Sequence, residues 1–142
     1  MVHALKNAAS FTKPGGVLIE IHDLLDPPRI EIQTSGRKLY VGQLFSSNDF
    51  ESQRQADQAI NAAVQEGFLV SEEASIFEYL VLADSFEALN EWLADTWKSA
   101  YLTDETTRFI NQVTNQEGKK AEIILRIASR ILLLKPAKDG FI

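Results

Sequence analysis

The chain has 142 residues, of which 45% are hydrophobic and 24% are charged, so it has the size and composition of one domain with a buried core rather than of a disordered or membrane-spanning protein. Its net charge of −6 and its pI near 4.9 disfavour contact with phosphate backbones, so we expect no nucleic-acid partner. The absence of cysteine excludes disulfides, thiol nucleophiles and cysteine-ligated zinc, and because no secretory signal is recognised at the N-terminus we expect a cytoplasmic location.

The first 44 residues predict a short helix, a strand and a hairpin. The alanine-rich segment 3–10 is typical of the last turns of a helix that ends before Pro14. After a glycine turn, the apolar run at 17–21 predicts a central strand that is covered on both faces, as in a parallel sheet. Over 29–44, alternating apolar and polar residues on both sides of Ser35-Gly36 predict a β-hairpin.

A helix is predicted over 49–66. Asn48 and Glu51 have the spacing of a capping box, and Gly67 marks the end of the helix. The apolar residues recur at helical spacing and predict one buried stripe, made of Phe50, Ala56, Ala59, Ile60, Ala63 and Val64.

The segment 68–83 alternates loosely and predicts a strand, entered through a polar loop at Glu72-Glu73. Asp84 or Ser85 is expected to cap the next helix, and Thr103 a further one, so that a helical insertion covers about 85–117. The apolar faces of these helices are expected to carry Leu89, Leu93, Thr96, Trp97 and Ala100 in the first, and Phe109, Ile110 and Val113 in the second.

The segment 121–136 fits two structures. Glu122, Arg126 and Arg130 recur every four residues, as on the exposed face of a helix, whereas the isoleucines and leucines between them also fit strand alternation. The β-branched content favours a strand.

Two stretches resemble parts of class I S-adenosylmethionine-dependent methyltransferases. LKNAASFTKPGGVLIEIHDL, residues 5–24, is similar to that family's helix and Pro-Gly-Gly turn leading into its fifth strand, and FEYLVLADSFEALNEWLADTWKSAYL, residues 77–102, resembles its sixth strand and the helical segment that follows. The resemblance spans about 130 residues. It implies an α/β fold over 1–142 as a single domain: a partial Rossmann-like sheet of mixed direction, with about three to five strands including the hairpin, and helices packed on it.

The resemblance covers only the C-terminal, substrate-side half of the family. The family binds its cofactor on a glycine-rich loop after the first strand and on an acidic residue that ends the second. The seven glycines of this chain form no G-x-G, and neither feature has a counterpart. We therefore expect no cofactor on this chain alone, and S-adenosylmethionine only if a missing half completes it.

Four residues are candidates for substrate binding. His22 and Asp23 end the 17–21 strand at its carboxyl edge, where open α/β sheets bind ligands. A turn-orienting role explains them as well, because no nucleophile or third partner accompanies them. Trp97 and Tyr101 could wall an apolar pocket, although the packing of an amphipathic helix also explains both. No catalytic residue and no metal cluster is predicted, since the chain has two histidines and scattered carboxylates.

Three functions are compatible with these observations. The first is a methyltransferase-like domain that cannot methylate alone; the second is a non-enzymatic module that holds a small apolar ligand or a protein; the third, a complete small enzyme, lacks support from any recognisable catalytic set. If the first half is absent, the 17–21 strand becomes an exposed apolar edge. We therefore expect a homodimer through that strand or a neighbouring face, and no membrane partner.

Overall fold

A computed structural model describes residues 1–137 and contains two compact units. Unit 1 comprises residues 1–25, 51–77 and 129 onward, and unit 2 comprises 26–50 and 78–128. The helices are α1 (Val2–Phe11), α2 (Glu51–Gln65), α3 (Phe86–Thr96) and α4 (Asp104–Glu117), and a 3-10 turn follows at Gly118–Lys120. The strands are β1 (Leu18–Asp23), β2 (Arg29–Gln33), β3 (Lys38–Gln43), β4 (Phe45–Ser46), β5 (Leu69–Ala83), β6 (Ala100–Tyr101) and β7 (Glu122–Pro136). None of the helices within residues 1–137 combines the length and the apolar character needed to cross a bilayer.

Strand β7 organises the main sheet. It runs antiparallel to β1, from Leu18↔Leu134 to Asp23↔Ser129, and antiparallel to β2, while β2 and β3 form an antiparallel hairpin. The strand β5 also pairs with β7. Glu72 contacts Lys135 and Glu78 contacts Arg126, and this order shows that the two strands run in opposite directions. A separate two-stranded ladder joins β4 and β6. The α/β class and the hairpin are confirmed, and the sheet is mostly antiparallel.

The core of unit 1 forms where the two N-terminal helical segments meet the sheet. The buried stripe of α2 includes Ile60 and Ala63, which cluster with Leu132 and Leu134 of β7 and with Ala9 of α1. A residue on every second position of β7 enters this core because side chains alternate across a strand. The stripe predicted for α2 is therefore confirmed at these positions, whereas Val64 is exposed.

The core of unit 2 packs α3 and α4 with the hairpin and with the first half of β7. Its fully enclosed side chains include Ile30, Leu89, Ile110 and Leu125. The predicted caps are confirmed, since the Ser85 hydroxyl accepts a hydrogen bond from the amide of Ala88 and the Thr103 hydroxyl accepts one from the amide of Thr106. Gly42 lets β3 approach α4 closely, because a Cβ at this position would lie 2.4 Å from the Thr106 hydroxyl oxygen.

The final segment is a strand, as preferred from the sequence. β7 spans Glu122–Pro136, and Ile123, Leu125 and Ile127 are buried on alternate positions. The four-residue spacing of its charged residues reflects their positions on one side of a strand, where residues two and four apart share a face.

Three local predictions are wrong. Asn48 does not cap α2: its side chain accepts a hydrogen bond from the Ser46 hydroxyl, and Asp49 and Phe50 adopt φ angles of 53° and 52°, so the helix begins only at Glu51. Phe50 consequently packs outside that helix, edge-on to Trp97 in unit 2. Glu72-Glu73 is not a loop, because β5 already begins at Leu69 and includes both residues.

The prediction that the 17–21 strand is covered on both faces is also wrong for the residues that the structure describes. Leu18, Glu20 and His22 are half-buried, whereas Ile19 and Ile21 on the other face are 63% and 58% exposed. A continuous apolar run indicates two buried faces only when layers exist to cover both. Here the strand partner of β1 is antiparallel β7, and residues 1–137 leave one face open.

Candidate functional site

His22 lies at the centre of a charged network in unit 1. Alternation along β1 directs Glu20 and His22 to one face, and the strand register sets His22 opposite Arg130 of β7. Helix α2 contributes Asp57 from the first half of its length. The network therefore joins two strands and a helix through Glu20, His22, Asp57 and Arg130.

Both ring nitrogens of His22 face carboxylates. Nδ1 lies 2.7 Å and 2.9 Å from the two Glu20 carboxylate oxygens, and Nε2 lies 2.9 Å from Asp57 Oδ1. A neutral imidazole has one N–H, so both contacts are hydrogen bonds only in the imidazolium form. Arg130 Nη2 donates to the same Asp57 oxygen at 2.6 Å. Asp57 Oδ1 thus contacts both the guanidinium of Arg130 and the imidazole of His22.

The imidazole of His22 is enclosed by this network, whereas Asp57 and Arg130 are partly exposed. The His22 side chain is 9% exposed, and Arg130 Nε is buried without a hydrogen-bond partner among the described residues. A general base needs a free nitrogen within reach of the reacting proton. His22 would have to break a carboxylate contact to provide one, so the geometry favours a structural and positioning role.

Asp23 does not share a site with His22. The two residues are adjacent on β1 and therefore point to opposite faces of the strand. The Ser129 hydroxyl, which is buried, donates a hydrogen bond to Asp23 Oδ1. The pair predicted from the sequence is consequently divided between two environments.

Trp97 and Tyr101 come together in unit 2, on one groove of about 390 Å³. Trp97 follows the C-terminus of α3 and meets Phe50 edge to face, with ring centroids 5.9 Å apart. Tyr101 lies on β6 and stacks on Phe45 of β4 at 5.9 Å, and it remains 48% exposed. These contacts hold two aromatic rings beside an open groove.

The groove has polar residues that the sequence analysis missed. Asn90 and Lys98 line it from α3 and the segment after it, and Thr107 lines it from α4. Phe86, Asn90 and Ala94 recur every four residues along α3 and line the groove, so the helical period of the sequence could have indicated this side of it. The contribution of Thr107 depends on how α4 packs, which local periodicity does not report.

The charged side chains of β2, β5 and β7 form a second ion-pair cluster in unit 2. Arg126 donates to Glu31 at 3.1 Å and to Glu78 at 3.0 Å. Hydrogen bonds to these carboxylates, first to Glu31 and then to Glu78, raise the pKa of Arg126 further above its usual value. The guanidinium therefore carries a permanent charge and links three strands, while Glu31 is almost fully buried.

No set of His, Asp and Glu side chains within residues 1–137 is arranged to hold a metal ion. The predicted site residues form two separate pairs: His22 and Asp23 belong to unit 1, and Trp97 and Tyr101 to unit 2. No family model, curated protein or solved structure matches the chain. The function is therefore inferred from the residues and their geometry.

Proposed function

We propose that this chain acts as the substrate-side half of an S-adenosylmethionine-dependent methyltransferase and methylates nothing alone. The observation that carries the proposal is the pairing of β1 with the final strand β7. The resemblance implies this pairing, because the family's fifth strand, which β1 resembles, lies between its fourth and seventh strands. The cytoplasmic location expected from the sequence belongs to the same proposal.

The open side of β1 also supports the proposal. Among the described residues the only strand partner of β1 is β7, and Ile19 and Ile21 are exposed on one face. A cofactor-binding half would supply both a strand for the free edge and apolar cover for that face. Covering these two side chains would recover roughly 1 to 2 kcal/mol each at about 25 cal/mol per Å² of apolar surface.

In this proposal the Trp97–Tyr101 groove receives the substrate in unit 2. Aromatic walls with a few polar groups are the usual lining of small-molecule sites. Asp23 remains a candidate substrate contact, and His22 acts by fixing the end of β1 against α2 through its contact with Asp57.

The chain alone should not bind S-adenosylmethionine, because its glycines form no cofactor loop. Isothermal titration calorimetry of the purified chain should give no binding heat at low micromolar cofactor. The DNA upstream of the Met1 codon should encode a G-x-G-bearing segment, and joining that segment to the chain should create binding. Stoichiometric binding by the chain itself, or a fusion that folds but does not bind, would contradict the proposal.

The groove also supports a second candidate, a non-enzymatic module that holds a small apolar ligand. Trp97 is half-buried and lines the groove, so its fluorescence reports on occupancy. A panel of small aromatic compounds would quench this fluorescence in the wild type, and Tyr101→Ala would weaken the response. Binding by the chain without any effect of a fused cofactor half would favour the module over the methyltransferase.

The homodimer expected from the sequence places a second copy on β1, where it would compete with a cofactor-binding half. Light scattering at high micromolar concentration tests it: a dimer gives twice the 15.9 kDa mass of one chain. Ile19→Lys should dissociate a dimer formed through β1, because a lysine on an edge strand disfavours pairing with another chain. A mass of one chain for the wild type would contradict any homodimer.

A further inference from the structure

Strand β5 has an open edge that is longer than that of β1. It spans fifteen residues, and β7 is its only strand partner among the described residues. All eleven residues from 70 to 80 are exposed. Its exposed large apolar side chains are Val70, Ile76, Phe77, Tyr79, Leu80 and Leu82. A long apolar edge of this kind is a template for pairing with another chain.

The charges that could protect this edge are largely neutralised. β5 carries three glutamates, and charged side chains are a common device against edge pairing. Lys135 contacts Glu72 at 2.5 Å and Arg126 contacts Glu78 at 3.0 Å, and both cations lie on β7. Two of the three carboxylates are therefore compensated by cations of β7. The outer edge of β5 consequently has little uncompensated charge to oppose pairing with another strand.

We propose that β5 pairs antiparallel with β5 of a second copy of this chain across a two-fold axis. A two-fold arrangement presents the same strand from both copies and closes after two subunits. With the axis at residue 76, no glutamate lies opposite another glutamate. The opposing pairs then include Glu72 with Leu80, Glu73 with Tyr79, Ala74 with Glu78, and Ile76 with the same residue of the second copy.

The strand is long enough for a stable interface. Specific interfaces bury on the order of 1,000 Å² or more in total. Pairing along 70–82 joins thirteen residues from each copy, and the exposed apolar side chains lie on both faces of β5. Aromatic side chains at diagonal cross-strand positions, such as Phe77 of the two copies, lie within reach of each other and stabilise antiparallel pairs.

This interface is independent of the proposed methyltransferase role. A second copy on β5 leaves the edge of β1 open, so a cofactor-binding half and a homodimer can coexist. The result for cofactor binding and the result for dimerisation are therefore separate measurements.

Sedimentation velocity of the full chain with two matched variants tests the proposal. Ile76 is 68% exposed on β5 and Ile19 is 63% exposed on β1, so lysine at either position has a similar effect on the folded chain. We expect the wild type to dimerise, Ile76→Lys to raise the dimer dissociation constant by about tenfold or more, and Ile19→Lys to leave it unchanged. Circular dichroism and the urea midpoint verify that each variant folds.

The proposal is overturned by a wild type that stays monomeric at high micromolar concentration, or by Ile76→Lys dimerising as tightly as the wild type. If both variants dissociate, amide hydrogen exchange of the wild type is measured at protein concentrations above and below the dimer dissociation constant. This comparison shows whether β5 or β1 forms the interface. Concentration-dependent protection of amides in 70–80 supports the β5 interface. Protection confined to β1 contradicts it.

Discussion

Asp57 is the residue on which the network in unit 1 depends, because one of its oxygens lies within hydrogen-bond distance of both His22 Nε2 and Arg130 Nη2. Asp57→Ala would leave these two partly buried donors without their shared acceptor. We expect a loss of about 1 to 3 kcal/mol in the free energy of unfolding, measured by urea denaturation. Gln58→Ala, at the exposed neighbouring position, is the control and should change stability little. Equal midpoints for the two variants would mean that the network adds nothing to stability.

Arg126 allows a pH-dependent prediction. Its pKa is raised in the folded chain, so its contribution to stability is fully present below the pKa of the unfolded chain and is lost only as the pH rises through the folded value. Arg126→Leu, which leaves buried Glu31 without this partner, should therefore destabilise the chain by the same amount at pH 7 and at pH 9. Chemical denaturation at both pH values measures this difference. A destabilisation that falls markedly by pH 9 would show that another group controls the interaction.

The sequence predicted His22 as a site residue but not what surrounds it. The spacing of Glu20 and His22 on one strand face was a readable signal, since alternate residues of a strand share a face. Asp57 and Arg130 are 35 and 108 residues away from His22 along the chain, and only the strand register and the packing of α2 bring them close. Local patterns carry no information about such contacts.

Substitutions in helix α2 test whether its apolar stripe is the face that packs in the core of unit 1. Ile60 is 4% exposed within the core of unit 1, whereas Gln58 is exposed. Ile60→Ala removes three carbon atoms and leaves a cavity, so it should cost about 2 to 5 kcal/mol, and Gln58→Ala should be nearly neutral. Urea midpoints compare the two. A similar shift in both variants would mean that the buried face of α2 is a different one.

Elements with strong local signals were predicted well. Ser85 and Thr103 cap their helices because a hydroxyl one residue before a helix can accept a hydrogen bond from the amide three residues further on. Asn48 has the same capacity, but the turn before α2 places Asp49 and Phe50 at positive φ and moves the helix start to Glu51. The conformation of that turn depends on contacts such as Phe50 with Trp97, which are distant in sequence.

At the scale of the whole molecule, strand existence was predictable and strand direction was not. The apolar run of β1 and the alternation of β7 indicated strands, yet a run of this kind is equally compatible with parallel and antiparallel neighbours. The register from Leu18↔Leu134 to Asp23↔Ser129 shows an antiparallel pair that leaves Ile19 and Ile21 uncovered. The candidate site shows the same limit: the sequence offered single residues as candidates, and their separation into two groups was not predictable from it.

The central role of β7 has a consequence for synthesis on the ribosome. β1, β2 and β5 all pair with a strand that begins only at Glu122, so none of them can complete these pairings while the first 121 residues are being made. At a translation rate of about 5 to 20 residues per second, the apolar strand β1 remains without its partner β7 for roughly 5 to 20 s. The hairpin of β2 and β3 and the helices can form earlier from local contacts. The nascent chain therefore exposes β1 to chaperones and to other nascent copies throughout most of its synthesis, and exposes β5 from the time it is made until β7 follows.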